Sequence, residues 1–227
     1  KDYDIFIHSQ SFEEKEKLLD LYNPKQSLIE KQKNFFLNTI FHPQILFSFF
    51  SIPYKIFKNF FLNKADKVNT FYSKYQRCYN AFSRWYSLKK VNDLKREYEE
   101  KKKFKYDLVM LTRLDLAFMT NFDFKKINSN FLTVPNHNDV PTPRNNYKQE
   151  IELNNKTNEK GISDFWFISS SYNIDKFASL YSRFKNYNIS NHISSLQHSK
   201  YLKIKLNFYK YRGIDHEAVR RLKFSEE

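Results

Sequence analysis

Apolar positions along the chain follow two rhythms. Short unbroken runs rich in Ile, Val, Leu and Phe, "YDIFIHS", "YDLVMLTRLDLAF" and "SDFWFISSS", are bounded by polar residues and read as buried strands. Between them the spacing lengthens to three or four residues. From about Thr70 to Lys102 the positions Phe71, Tyr75, Cys78, Phe82, Trp85, Leu88, Val91, Leu94 and Tyr98 mark one face of a long helix or of two joined helices. This helix runs out in "KREYEEKKK", read as a solvated charged turn. Ile174, Phe177, Leu180, Tyr181 and Phe184 mark a second amphipathic helix, and "SNHISSLQHSKYL" a third, with Ser190 or Asn191 as its candidate N-cap. "FLTVP" and "KIKLNFYKY" add two lesser strands. The alternation predicts an α/β fold with a mixed sheet flanked by helices.

Two segments break the rhythm. "FFLNTIFHPQILFSFFSIPYKIFKNFFL", from Phe35 to Leu62, is the most hydrophobic stretch, yet His42, Pro43, Gln44, Pro53, Lys55 and Lys58 interrupt it before a membrane span accumulates. It reads as a hydrophobic helical insertion over about 28–66. A buried insertion, a basic interfacial helix on an anionic bilayer and an oligomer contact all fit it. The second is the proline-rich, aperiodic stretch over about 135–161, read as a mobile polar loop. We expect one domain over residues 1–227, and the opening run "KDYDIFIHS" is read as following a strand that precedes Lys1.

Composition narrows the chemistry. The chain has 227 residues and a formal net charge of +14, which by itself points to an anionic partner, although the abundance of Lys, Asn, Phe, Tyr and Ile makes adenine- and thymine-rich codons the simpler source of the charge. Its aromatics sit at core spacings, so no nucleic-acid partner is expected. Only two glycines, Gly161 and Gly213, are present, against about 7% in ordinary proteins. A Walker loop and a dinucleotide fingerprint are thereby excluded. The single cysteine, Cys78, excludes an intrachain disulfide and fits a cytoplasmic setting, with peripheral contact at the inner membrane if the insertion is interfacial. The histidines have no metal-ligand spacing.

The candidate site lies where "KYDLVMLTRLDLAF" places Arg113 and Asp115 one residue apart at a strand's carboxyl end, the usual position of ligands in α/β sheets. With a period of two, both side chains share a face, while Leu114 and Leu116 turn into packing. Such a pair is either a structural ion pair or the place where a guanidinium, or a divalent metal on the carboxylate, meets a diphosphate.

The segments "KDYDIFIHS", "SRWYSLKKVNDLKREYEE", "KYDLVMLTRLDLAF" and "SDFWFISSSYNIDKFASLY", in this order, resemble bacterial GT-A type glycosyltransferases of capsule and lipopolysaccharide gene clusters, especially those of Campylobacter-like organisms. The resemblance implies a GT-A-like sheet and transfer of a sugar from a nucleotide-sugar donor to an oligosaccharide or polysaccharide acceptor. In that family the strand ending here takes the place of the D-x-D motif. Asp115 matches its second carboxylate, as a ligand of Mn²⁺ or Mg²⁺ or of the donor, while Arg113 stands where the first Asp would be. Asp164 is the implied catalytic base, with Glu150 and Glu152 as weaker substitutes, and a strand-start turn cap is its structural alternative. Arg113, Asp115, Arg84, Tyr86 and Lys90 are implied donor contacts, Lys89 lies beside them, and His8 and Ser9 join them at the end of the first strand. Asp215, with Arg220, could close over the donor or cap a helix. Transfer of a phosphoramidate or sulfate group, and a non-enzymatic basic membrane- or nucleic-acid-binding module, are the competing functions.

Overall fold

The computed structural model describes residues 3–58, 65–136, 160–211 and 215–219. The predicted polar loop, with Glu150 and Glu152, lies outside them except at its ends, as does Arg220. The chain is mixed α/β and forms two compact units, residues 1–104 with 178–190, and residues 105–177 with 191–227. Among the described residues no helix is long and apolar enough to cross a membrane.

In the first unit, strand β1 (Phe6–Ser9) leads through helix α1 (Lys15–Tyr22) to strand β2 (Gln26–Ile29), which pairs with β1 in parallel, Phe6 opposite Gln26 and Ser9 opposite Ile29. Two strands alone are only marginally stable in water. Their cover is the C-terminal half of helix α4 (Ala65–Lys102), 38 residues or about 57 Å at the α-helical rise, which packs against both strands. Tyr98 of α4 meets Phe6 edge-on at 5.6 Å. The apolar series read from the sequence is therefore one helix, and its charged end is a correction. The helix continues through "KREYEEKK", and Lys95 and Glu99 within it are buried rather than solvated.

Helices α2 (Phe36–Ile40) and α3 (Pro43–Lys58) lie within the stretch read as an insertion, whose expected start at residue 28 falls inside β2. Phe35, Thr39, His42 and Ile45 are buried against α4 and the short helix α6 (Leu180–Arg183), where Phe82 and Phe184 meet edge to face at 4.8 Å. Cys78 is in this core, and burial pushes its thiol up to about 12. It is a packing residue.

The second unit holds a four-stranded mixed sheet, β3 (Val109–Thr112), β6 (Trp166–Ser169), β5 (Leu132–Asn136) and β7 (Leu206–Tyr211) in that spatial order, together with a two-stranded antiparallel pair, β4 (Leu116–Phe118) with β8 (His216–Ala218). β3–β6 and β6–β5 are antiparallel, and β5–β7 is parallel. Every residue of β5 is buried, as a central strand requires. Pro135 has no N–H to give to a ladder, and the register shifts there: Val134 pairs with Phe208 but Asn136 with Tyr211. β7 carries one extra residue there, where Tyr209 and Lys210 face Pro135; Lys210 has φ 69°, in the left-handed region that costs a non-glycine residue energy, and its carbonyl accepts a hydrogen bond from Asn136 Nδ2 at 3.2 Å.

Helices α5 (Ser171–Ala178) and α7 (Asn191–Tyr201) follow the second and third predicted amphipathic segments. The second is shorter than its apolar series suggests, because the chain breaks at Ser179 before α6. The core of this unit gathers Leu132, Val134, Ile162, Trp166, Ile168 and Phe177, all fully buried. Two expectations are corrected. The run "YDLVMLTRLDLAF" is two strands in different sheets, and "GIDHEAVRRL" opens as strand β8 rather than as a helix, so Asp215 caps no helix.

Candidate functional site

Arg113 follows the last residue of β3, and Asp115 precedes the first residue of β4. The two residues share a face through a turn rather than through strand periodicity. Asp115 is anchored by its backbone, its carbonyl accepting from Val219 N–H at 2.9 Å just past β8. Its side chain receives Arg113 in a two-pronged bond, Nε to Oδ1 at 2.7 Å and Nη2 to Oδ2 at 2.6 Å. Leu114, expected to pack, is 44% exposed, because the turn directs it away from both sheets, whereas Leu116 does pack against the Phe165–Trp166–Ile168 cluster.

The third nitrogen of Arg113, Nη1, lies 4.0 Å from Oδ2 of Asp164, and its guanidinium stands 5.5 Å from the centroid of the Phe165 ring. Burial works against the guanidinium charge, but the Asp115 hydrogen bonds and the fields of Asp164 and Asp115 outweigh it and raise the Arg113 pKa. Asp164 lies two residues before β6 and is buried. Its Oδ2 accepts from Asn191 Nδ2 at 3.0 Å and its Oδ1 is 3.7 Å from His192 Nδ1, which also donates to the Ile162 carbonyl at 3.1 Å. Sequence reasoning missed Asn191 and His192 as neighbours of this group.

One of the two glycines explains how they come so close. A Cβ at Gly161 would lie 3.0 Å from His192 Cβ and 3.1 Å from its carbonyl carbon, so the loop before β6 can lie against the start of α7 only without a side chain there. The result is a row: Asp115, Arg113, Asp164, and then Asn191 with His192. Its carboxylates differ sharply in access, the Asp115 side chain being 41% exposed and that of Asp164 only 5%.

The divalent metal implied for Asp115 does not fit this donor set. Both carboxylate oxygens of Asp115 are engaged by Arg113, and the space toward Asp164 is filled by the same guanidinium, so a metal would have to displace it.

The candidates His8, Ser9, Arg84, Tyr86, Lys89 and Lys90 belong to the first unit. His8 and Ser9 end β1, beside the end of β2, the crevice position of a parallel pair. His8 Nε2 meets Glu30 Oε1 at 3.1 Å, and since a carboxylate only accepts, the imidazole proton is on Nε2. Tyr86 also donates to Glu30, its ring lies 5.5 Å from that of His8, and Lys33 Nζ sits 4.5 Å above it with Lys90 Nζ at 5.7 Å. Ser9 Oγ accepts from Ser11 N–H, Lys89 pairs with Asp93, and Arg84 is half-buried on α4. Glu30 is the hub that the sequence hid, because the four residues of β2 carry too little pattern to reveal a strand end. Burial of Glu30 opposes its charge, yet the Tyr86 and His8 hydrogen bonds hold its carboxyl below the usual range. The same burial, followed by the Glu30 bond, lifts the Tyr86 hydroxyl.

Burial lowers the His8 pKa from 6.5, more than Glu30 raises it. The unfolded chain therefore takes up the proton first as pH falls through 6.5. The stability His8 contributes is complete above that pH and is lost below it, until the fold itself protonates. The slope is at most about 1.4 kcal/mol per pH unit for one proton. His8→Asn should flatten the fall in melting temperature between pH 6.5 and 5 relative to wild type. Parallel profiles would show that His8 is as well solvated in the fold as out of it.

No family model, curated protein or solved structure matches this chain.

Proposed function

We propose that the chain is a GT-A type glycosyltransferase that moves a sugar from a nucleotide donor to a bacterial surface polysaccharide. The observation that supports this reading best is the row at the ends of β3 and β6, in which an accessible carboxylate is aimed by a two-pronged guanidinium bond whose far side rests on a buried carboxylate. A lone surface ion pair needs no such backing.

In the proposed reaction an acceptor hydroxyl oxygen attacks the anomeric carbon, the bond from that carbon to the nucleoside diphosphate breaks, and the hydroxyl proton passes to a carboxylate. In this reading access gives that last role to Asp115, since a base must come within hydrogen-bond reach of the hydroxyl and the Asp164 side chain is only 5% exposed. Asp164 acts as a positioning residue that holds Arg113 and His192. Arg113 supplies the positive charge, which matters more as the leaving diphosphate gains its negative charge than before. No step runs through a metal.

The test is a panel of UDP-, GDP- and CMP-sugars, each with divalent metal and with chelator. We expect a thermal shift and slow hydrolysis with one donor, retained under chelation. Silence with every donor would remove the reading, and activity only with metal would remove the role given to Arg113.

A further inference from the structure

We infer that the outer faces of α2 and α3 form a docking surface for an anionic lipid bilayer, an inference independent of the transferase reading. Thr39, His42 and Ile45 turn these helices toward the core, and the opposite faces carry large apolar side chains in water: Leu37 is 64% exposed, Phe47 77% and Phe50 72%, with Phe36 and Phe41 about half exposed. Single exposed apolar residues are ordinary, but several bulky ones on two successive helices mark an interaction surface. In sequence the register of Phe47 and Phe50 continues at Tyr54 and Phe57, again aromatic.

Charge selects the occupant. From Lys31 to Ala65 there are five lysines, Lys31, Lys33, Lys55, Lys58 and Lys64, and no Asp or Glu. A second copy of this chain would bring the same positive charge against itself. A bilayer of anionic lipid offers hydrocarbon for the phenylalanines and phosphate for the lysines, the pairing expected of a helix lying in the interface.

The experiment is flotation of the full chain with phosphatidylcholine vesicles, with and without about 30 mol % phosphatidylglycerol, in about 0.1 M salt. The wild-type chain should float with the anionic vesicles and not with the neutral ones. Phe47→Ser with Phe50→Ser, both at exposed positions, should lower the partition coefficient at least about tenfold while leaving the circular dichroism and melting curve unchanged. Lys55→Gln with Lys58→Gln should lower it by roughly fivefold per lysine on anionic vesicles and narrow the preference for anionic lipid. Failure to float with any vesicle, equal flotation of the phenylalanine and wild-type chains, or self-association abolished by the serine changes would each overturn the proposal.

Discussion

Asp115→Ala is expected to lower donor-dependent transfer about 10²- to 10³-fold, the range seen when one preorganised polar group is removed from a reacting centre. Stability should hardly move. The Asp115 side chain is 41% exposed, and a pair so open to water is worth at most about 1 kcal/mol, or roughly 4 °C in melting temperature for a chain of this size. The Arg113 charge is not stranded by the change, because Asp164 stands 4.0 Å away and can take it up. Arg113→Lys should be nearly as damaging to transfer, since an ammonium cannot hold Asp115 by two parallel bonds and reach toward Asp164 with a third. Parallel measurements of transfer and of melting decide the matter. If activity and stability fall together, the turn between β3 and β4 is structural; if neither moves, the pair is a surface ornament and the site lies elsewhere.

What the sequence revealed and what it hid follow from how far each signal reaches. β1 and β6 were legible because their apolar residues run together, β5 and β7 more weakly because Thr, Asn and Lys interrupt theirs, and α4 because one of its faces repeats every three or four residues over 38 positions. The break between β3 and β4 was not legible. Each half is apolar, and the turn at Leu114 and Asp115 contains neither Gly nor Pro to announce it. The meeting of Arg113 with Asp115 was readable from their spacing alone, whereas Asp164, Asn191 and His192 reach them through tertiary contacts that a linear pattern does not encode. Glu30 was hidden for a related reason: four residues, "QSLI", become a strand only because β1 lies beside them. A proline such as Pro135 is at odds with a central strand, and the register shift on β7 is what admits it.

The charged end of α4 gives the largest expected change in stability. Lys95 and Glu99 are joined at 3.1 Å one helical turn apart, with side chains 4% and 0% exposed, inside a stretch whose composition reads as solvent-facing. They lie in the part of α4 that packs against the parallel pair β1–β2, where Tyr98 meets Phe6. An ion pair out of water is held by the match between its partners, so removing one partner leaves the other desolvated and costs about 3–5 kcal/mol. Glu99→Ala should therefore lower the melting temperature by about 10 °C, far more than any exposed i, i+4 pair on the same helix could. Replacing both, Lys95→Met with Glu99→Leu, removes the stranded charge as well as the pair and should restore stability to within about 1 kcal/mol of wild type. A single variant that melts with wild type would mean that water reaches Glu99. A double variant as unstable as the single would mean that the two charges hold the helix to the strands through partners other than each other. Intermediate recovery divides the loss between those two causes, which thermal melts of the single, double and wild-type chains separate as a cycle.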